Sequence, residues 1–385
     1  MWRGPLTFPA TGPDHIIGPD VPAPGWEHIR FSLAVLVLVL LVVATAVAFL
    51  VHRFRRRRTG EPKRPIVTSV LAVGALLTGG VAIAWRPPPF FVPTFPALPR
   101  LLPAETFYYR TIGDLPVSPD SGRWIGALGS MPLGLGLSNH VFDGVVYGMP
   151  FNLVDRSTPR EDVAIILWPD TSYRGLYPIT DPAYIQSMPG YSYDQHYIGV
   201  DVEQGEMWEL LAVRKWFGRW RADSGAHVDM RSSRYPEGST TAAGLPVLPG
   251  TLTYDEVASG QVAHVLSVAG EISRRDSFIW PARGTDGQSD DPDAPPMGAW
   301  LRLRADVPIA ELPPQSRAVA TAMRDYGIVF SDTGPGFALT GTPDRRWDME
   351  DLASLTQLTT DDFEVVDASG VALSTDSMAA NPAPR

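Results

Sequence analysis

The stretch YIGVDVEQGEMWELLAV, residues 197–213, decides the fold class. Apolar residues alternate on both sides of Gln204–Gly205, the pattern of two half-buried strands joined by a tight turn. With the turn at those two residues, Val200 faces Glu209, Ile198 faces Leu211 and His196 faces Val213. His196 and Glu209 then share a face with Ile198, Val200, Leu211 and Val213. A carboxylate among aliphatic side chains has a raised pKa unless it is paired, which is the property a general acid needs. A loop one residue longer or shorter would turn every side chain to the other face.

Outward from this hairpin, from about Glu105 onward, short apolar runs are broken by Gly, Pro, Asp and Ser at intervals of roughly 8–12 residues, as in β-sandwiches and barrels. Further strands are expected at Gly144–Met149, Val163–Trp168, His227–Met230, Val262–Val268, Asp276–Trp280, Trp300–Ala305, Gly327–Phe330 and Phe337–Thr340. Helical period is clear at Gln315–Tyr326, where Val319, Ala322, Met323 and Tyr326 fall at i, i+3, i+4 and i+7. Tyr254–Ser259 and Met349–Leu355 suit shorter helices. The expected fold class is therefore mainly β, sandwich- or jelly-roll-like, over residues 105–370, with a few helices. Residues 371–385 have the makeup of a disordered tail.

Two apolar segments precede this domain. Phe31–Val51 holds 21 residues and Ile66–Trp85 holds 20, both without a charge, and each is long enough to cross a bilayer as a helix. The connector 52–65, HRFRRRRTGEPKRP, carries seven Arg/Lys against Glu61 alone, so it is expected on the cytoplasmic side, with the tail 1–30 and the large domain outside. A cleaved signal peptide fits less well, because no basic region precedes residue 31 and arginines, not small residues, follow the apolar run. Residues 86–104, with seven prolines between Pro87 and Pro103, read as a spacer whose Phe and Leu side chains either lie along the membrane or cover the domain.

The formal net charge of −10 becomes −15 from Arg86 onward, 23 Arg/Lys against 38 Asp/Glu, which argues against a nucleic-acid partner. Cysteine is absent, which excludes disulfides, thiolate metal sites and cysteine nucleophiles. No GxSxG, HExxH, GxxxxGK[ST] or strand-linked GxGxxG occurs. Asp332-Thr333-Gly334 is similar to the aspartic-protease triplet, but that chemistry needs two carboxylates sharing a proton and there is no second triplet. It reads as a strand-ending turn. Asp286, Asp290, Asp291 and Asp293 suit either calcium or an acidic surface loop, and their spacing is not that of an EF-hand. No metal or cofactor is assigned. His196, His227 and His264 are either hydrogen-bonded core residues or members of a site. Trp208, Trp216, Trp220, Trp280, Trp300 and Trp347 either fill the core or stack on sugar rings.

The blocks AAGLPVLPG, WPAR, PPMG and PDRRWD, with DQHYIGVD, MWELL and DFEVVD around them, stand in an order that resembles a family of exported bacterial β-rich proteins over about residues 150–367. The resemblance implies one extracytoplasmic folded unit and brings no known activity and no catalytic residues. This chain has Asp-Thr-Gly where the family pattern has Asp-Asn-Gly, and Gly284 where a histidine is expected after WPAR.

Location, aromatic density and carboxylates beside apolar faces point to a membrane-anchored protein that binds or cleaves an envelope or extracellular polysaccharide. For cleavage, Glu209 and Glu256 are the expected acid–base pair, with His196, His264, Arg283 and Trp280 holding substrate. The alternative is a non-catalytic envelope scaffold. A single concave pocket that gathers these residues would favour the first, and scattered or ion-paired positions the second.

Overall fold

The computed structural model describes residues 6–7, 92–141, 145–187 and 194–384. The two apolar segments at 31–51 and 66–85 and the basic connector 52–65 lie outside these residues. Among the described residues no helix is long and apolar enough to cross a membrane.

In chain order, the elements that place the site begin with helix α1 (Ser121–Leu128) and strands β1 (Leu133–Gly136), β2 (Asn152–Leu153) and β3 (Ala164–Ile165). The hairpin strands β4 (Tyr197–Asp201) and β5 (Glu206–Leu211) follow, then β6 (Arg214–Trp216), β7 (Arg219–Ala222), β8 (Ser224–Asp229) and β9 (Glu237–Gly238). The second half holds α2 (Tyr254–Ala258), β10 (Leu266–Gly270), β11 (Trp300–Leu303), α3 (Pro314–Asp325), β12 (Ile328–Thr333), β13 (Phe337–Thr340), α4 (Met349–Leu352) and β14 (Phe363–Val365). A five-stranded sheet runs β9-β8-β5-β4-β2 and a six-stranded sheet runs β14-β11-β12-β10-β13-β1. The β-rich expectation holds. Within these two sheets the parallel pairs β2 with β4, β10 with β12 and β1 with β13 depart from the antiparallel pairing of a jelly roll.

The hairpin pairs Ile198 with Glu209 and Val200 with Met207, two residues away from the expected register. Val202–Gly205 form a four-residue loop, closed by Gly205 N–H to the Asp201 carbonyl at 2.9 Å and by Gln204 N–H to Asp201 Oδ1 at 2.9 Å. A two-residue slip preserves side-chain parity, so Glu209 still lies on the face of Ile198 and Val200. That face meets the main core with Met207, Val228, Leu266, Val268 and Phe330. The opposite face, with Tyr197, Trp208 and Leu210, closes over a second cluster with Val163, Tyr177 and Ala222. Being covered on both sides, β4 is buried along its whole length. Val213 joins the second cluster, because Ala212 takes φ 53° and ends the strand before it.

Helix α3 forms where its period predicted, with Val319, Ala322 and Met323 buried. Its first N–H groups are capped from another helix: Asp351 accepts from Gln315 N at 2.9 Å and Ser316 N at 2.8 Å. Asp276–Trp280 and residues 145–149 form no extended strand.

Two assignments at the ends of the domain need correction. Residues 92–104 do not stand apart as a spacer: Val92, Phe95, Leu101 and Leu102 are buried. Their apolar side chains, which proline density alone leaves unplaced, supply core. The C-terminal residues are not disordered either, since Val371, Met378 and Ala380 belong to the main core and Phe107 N–H donates to the Met378 carbonyl at 2.8 Å. One methionine that fills a core gap outweighs the polar composition around it.

Asp344 fastens residue 95 to the body. Fully buried, it accepts from Phe95 N at 3.0 Å, Arg346 N at 3.0 Å and Arg346 Nη2 at 2.7 Å, while Arg346 Nη1 reaches Asp255 at 2.9 Å. Burial works to raise the Asp344 pKa, but Arg346 and the two backbone N–H groups overcome it and hold the carboxyl below its usual range. Asp344→Ala would leave the Phe95 N–H and much of the Arg346 guanidinium without an acceptor. We expect a loss of about 3 kcal/mol in denaturant unfolding, together with new protease cleavage between residues 92 and 104. An unchanged midpoint would show that the segment docks without this anchor.

Candidate functional site

The segment 239–250, STTAAGLPVLPG, has little regular structure, so its buried backbone groups need partners from elsewhere. Glu209, with no exposed surface, supplies them. Its Oε1 accepts from Val247 N at 2.8 Å and Leu248 N at 3.4 Å, and its Oε2 accepts from Thr240 Oγ1 at 2.8 Å. Desolvation pushes its pKa up to about 7 against the opposing pull of those three donors.

Held in this way, the segment docks on the end of β12. Ala243 N–H donates to the Ser331 carbonyl at 3.0 Å, Ala242 N–H reaches Asp332 Oδ1 at 3.4 Å, and Arg283 N–H donates to the Ala243 carbonyl at 2.7 Å. Three loops, around residues 242, 284 and 332, therefore converge. The register of β10 against β12 steps here: Val268 faces Phe330 while Ala269 faces Asp332, leaving Ser331 as the extra residue. Such a bulge re-aims the side chains that follow it.

Asp332 and Asp286 meet at this point from segments 46 residues apart, and Thr333 links them. The Thr333 N–H donates to Asp332 Oδ1 at 3.0 Å and its hydroxyl donates to Asp286 Oδ1 at 2.5 Å. Gly287 allows the loop to lie this close, because a Cβ there would stand 2.2 Å from the Arg274 carbonyl oxygen. Desolvation, then Asp286, then Asp194 drive the Asp332 pKa well above its ordinary value, against two backbone N–H groups. Asp286 is raised as well, by desolvation and by Asp194, with the Thr333 hydroxyl opposing. Both carboxyls are half-buried and both hold a proton more tightly than an exposed acid does, Asp332 more strongly than Asp286. The field of Asp194 also acts on His196, whose ring is held below its ordinary pKa by burial. The His196 Nδ1 is buried with no hydrogen-bond partner among the described residues.

Comparison with protein families, with characterised proteins and with solved structures found no match.

The expected site residues divide into two groups. Arg283 joins the converging loops through its backbone, with its guanidinium 4.6 Å from the centre of the Tyr235 ring, whose hydroxyl donates to the Pro281 carbonyl at 2.9 Å, and His196 shares the field of Asp194 with the carboxyl pair. Glu256, His264 and Trp280 are engaged elsewhere. Glu256 closes a capping box on α2 and accepts from His264 Nε2 at 3.0 Å, while His264 Nδ1 faces the Val265 carbonyl at 2.8 Å. Burial opposes charge on this ring, but Glu256 and the Val265 carbonyl outweigh it and hold its pKa above the ordinary value, so both carboxylate and ring are committed to each other and to the fold. Trp280 packs edge-on to Phe107 at 5.7 Å and gives its N–H to the Ser377 carbonyl at 3.0 Å. Glu209 is sealed from solvent and anchors a loop.

The acids of the 286–293 loop also diverge. Asp290 pairs with Arg275 at 2.6 Å and Asp293 with Arg123 at 2.6 Å, and among the described residues no three His, Asp or Glu side chains are placed to hold a metal ion. A cleft of about 230 Å³ lies apart from all of these, walled by Phe95, Phe151 and Tyr184. Its floor residue Asn152 is fully occupied, donating to the Tyr184 carbonyl at 2.9 Å and accepting from Tyr184 N at 2.8 Å and Thr180 Oγ1 at 3.0 Å.

The raised pKa of Glu209 sets a sign for stability. Between about pH 4.5 and 7 the folded protein keeps a proton that the unfolded chain releases, so stability falls as pH rises through that window, by on the order of 3 kcal/mol in all. Glu209→Gln removes this contribution and keeps an oxygen for Val247 N. We expect thermal melts to show a shallower loss of stability between about pH 5 and 7 in the variant, whereas Glu209→Ala loses about 3–5 kcal/mol near pH 4.5 through the cavity and the stranded donors, a deficit that narrows toward pH 7 as the parent itself loses stability. Parallel pH profiles for the parent and Glu209→Gln would refute the buried-acid assignment.

Proposed function

We propose that this chain is a membrane-anchored, extracytoplasmic protein that binds and hydrolyses an envelope or extracellular polysaccharide, with Asp286 and Asp332 as its acid–base pair in place of Glu209 and Glu256. The observation that carries the reading is the convergence of both carboxyls on Thr333, where burial raises the pKa of each and raises that of Asp332 more. Hydrolysis of a glycosidic bond uses two carboxyls, the acid with the raised pKa. Asp332 donates its proton to the leaving oxygen as the carbon–oxygen bond breaks. Asp286 takes a proton from the water whose oxygen attacks the anomeric carbon. The Thr333 hydroxyl fixes Asp286, and the Arg283 guanidinium, set on Tyr235, orients hydroxyl groups of the sugar.

In this reading the β-rich body is a two-sheet sandwich, residues 31–51 and 66–85 span the membrane, and both termini lie outside. The scaffold reading draws its support from Glu209, Glu256, His264 and Trp280, each of which already has partners within its own chain. Because Met378 is core, a topology reporter belongs after Arg385, not within the tail. We expect it to report an extracytoplasmic C-terminus, and a cytosolic signal would remove the envelope setting.

The chemical test is reducing-end release from a panel of envelope and extracellular polysaccharides by the full chain. Asp332→Asn and Asp286→Asn should each lower the rate by about 10²–10⁴, while Glu256→Gln leaves it within a few-fold. Full activity in Asp332→Asn would overturn the assignment, and failure of the parent to bind or cleave any glycan would leave the scaffold.

A further inference from the structure

The hairpin of β6 and β7 carries a feature that the carboxyl site does not use. Its register sets Trp216 opposite Arg219, Lys215 opposite Trp220 and Arg214 opposite Arg221, so Phe217 and Gly218 alone make the turn. Both have positive φ, 45° at Phe217 and 78° at Gly218, the geometry of a two-residue type I′ turn. That turn favours Asn-Gly. A bulky aromatic in the left-handed region is strained, and here it gains nothing from burial, because Phe217 is 92% exposed and Trp216 is 55% exposed. Phe217 meets the exposed Trp216 edge-on at 5.2 Å, a contact within the tip itself, and strain that no burial offsets points to a use outside the fold.

The surrounding charge identifies that use. Residues 214–221, RKWFGRWR, hold four cations and no acid in a chain with a formal net charge of −10. Lys215 stands over the Trp220 ring at 5.1 Å, and the exposed Ile166 and Leu167 lie near the base of the hairpin, Ile166 N–H donating to the Ala222 carbonyl at 2.8 Å. We infer that this hairpin tip inserts Phe217 and Trp216 into the interface of an anionic bilayer, with Lys215 and Arg219 at the level of the lipid headgroups. Exposed aromatics ringed by Arg and Lys are the chemistry of membrane interfaces. Basic residues interleaved with aromatics also serve single-stranded nucleic acid, but those sites are grooves that track a polyanion, whereas this is a convex tip on an acidic body that would repel a long one. The inference rests on the membrane setting proposed above, and its test separates the two.

The absence of cysteine makes Arg219→Cys a unique attachment point for a nitroxide, with Asp376→Cys as a water-exposed reference. The full chain is reconstituted in nanodiscs of mixed phosphatidylglycerol and phosphatidylcholine, and collisions of the nitroxide with oxygen and with a soluble nickel chelate are compared. We expect the label at 219 to be several-fold less accessible to nickel and more accessible to oxygen than the label at 376. Phe217→Asn, which gives the turn its preferred pair and should melt no lower than the parent, is expected to return the label at 219 to the reference value. Equal nickel accessibility at the two positions would overturn the inference. So would protection from both reagents, the mark of a protein partner, or protection that appears only when single-stranded nucleic acid is added. A chain that stays outside the discs refutes the two membrane spans, and the same collision readout on that chain, with discs added, still decides the tip.

Discussion

A carboxylate buried without an ion-pair partner among the described residues organises this domain. Glu209 stands on the core face of β5, where the binary pattern calls for an aliphatic residue, and burial disfavours its charge. What it supplies in return is acceptors for Val247 N, Leu248 N and the Thr240 hydroxyl, which seat on the sheet a loop otherwise tied to itself through Ser239, Thr241 and Leu245. The segment 239–250 carries several prolines and glycines and cannot satisfy its backbone through regular structure, so one side chain from the sheet does part of that work. The loop then has one position, and every contact it makes on β12 and on the segment at 283 follows from it. A hydrophobic residue at 209 would fill the volume but leave the loop without a defined seat.

The carboxyl pair is the consequence of that placement. Asp332 is aimed by the bulge at Ser331, and the bulge is buttressed from outside by Ala243 N–H on the Ser331 carbonyl. Asp286 arrives from a loop that Thr285 pins through its hydroxyl, which donates to the Arg274 carbonyl at 2.9 Å and accepts from Gly287 N at 3.0 Å. The side-chain oxygens of both carboxyls are held by backbone N–H and hydroxyl donors, which are neutral. This distinguishes them from Asp344 and Asp255, whose charges are balanced by Arg346. Glu209 is likewise held by neutral donors, but it is sealed, whereas Asp286 and Asp332 are half-exposed and stand in the field of Asp194.

The β-rich class was legible because alternation survives errors of register. The hairpin turn lies two residues from its expected pairing, since Asp201 closes a four-residue loop that resembles a two-residue one in sequence, yet Glu209 keeps its face and its raised pKa. Helix α3 was legible from its period. The carboxyl pair was not, because Asp332 and Asp286 belong to different local patterns, a strand-ending triplet and an acidic loop. Only tertiary structure brings them to the two sides of Thr333. The same limit hid the docking of Phe95 and Met378, whose neighbours in sequence are prolines and small polar residues while their neighbours in space are core.

The triplet at 332–334 shows how such a limit can mislead. Two carboxyls must share a proton, and a search for the partner of Asp-Thr-Gly as a second triplet finds none. The structure ends the strand at Thr333, as the triplet's turn reading expects, and brings Asp286 from an unrelated loop onto the Thr333 hydroxyl. Thr333 donates through its backbone to its own neighbour and through its hydroxyl to the opposing acid, so the pair is held by one residue of one strand. A pair built in this way has no symmetry: Asp194 raises both carboxyls, but Asp332 also feels Asp286 while the Thr333 hydroxyl holds Asp286 down. In the proposed hydrolysis, the stronger upward shift at Asp332 makes it the acid and leaves Asp286 as the base.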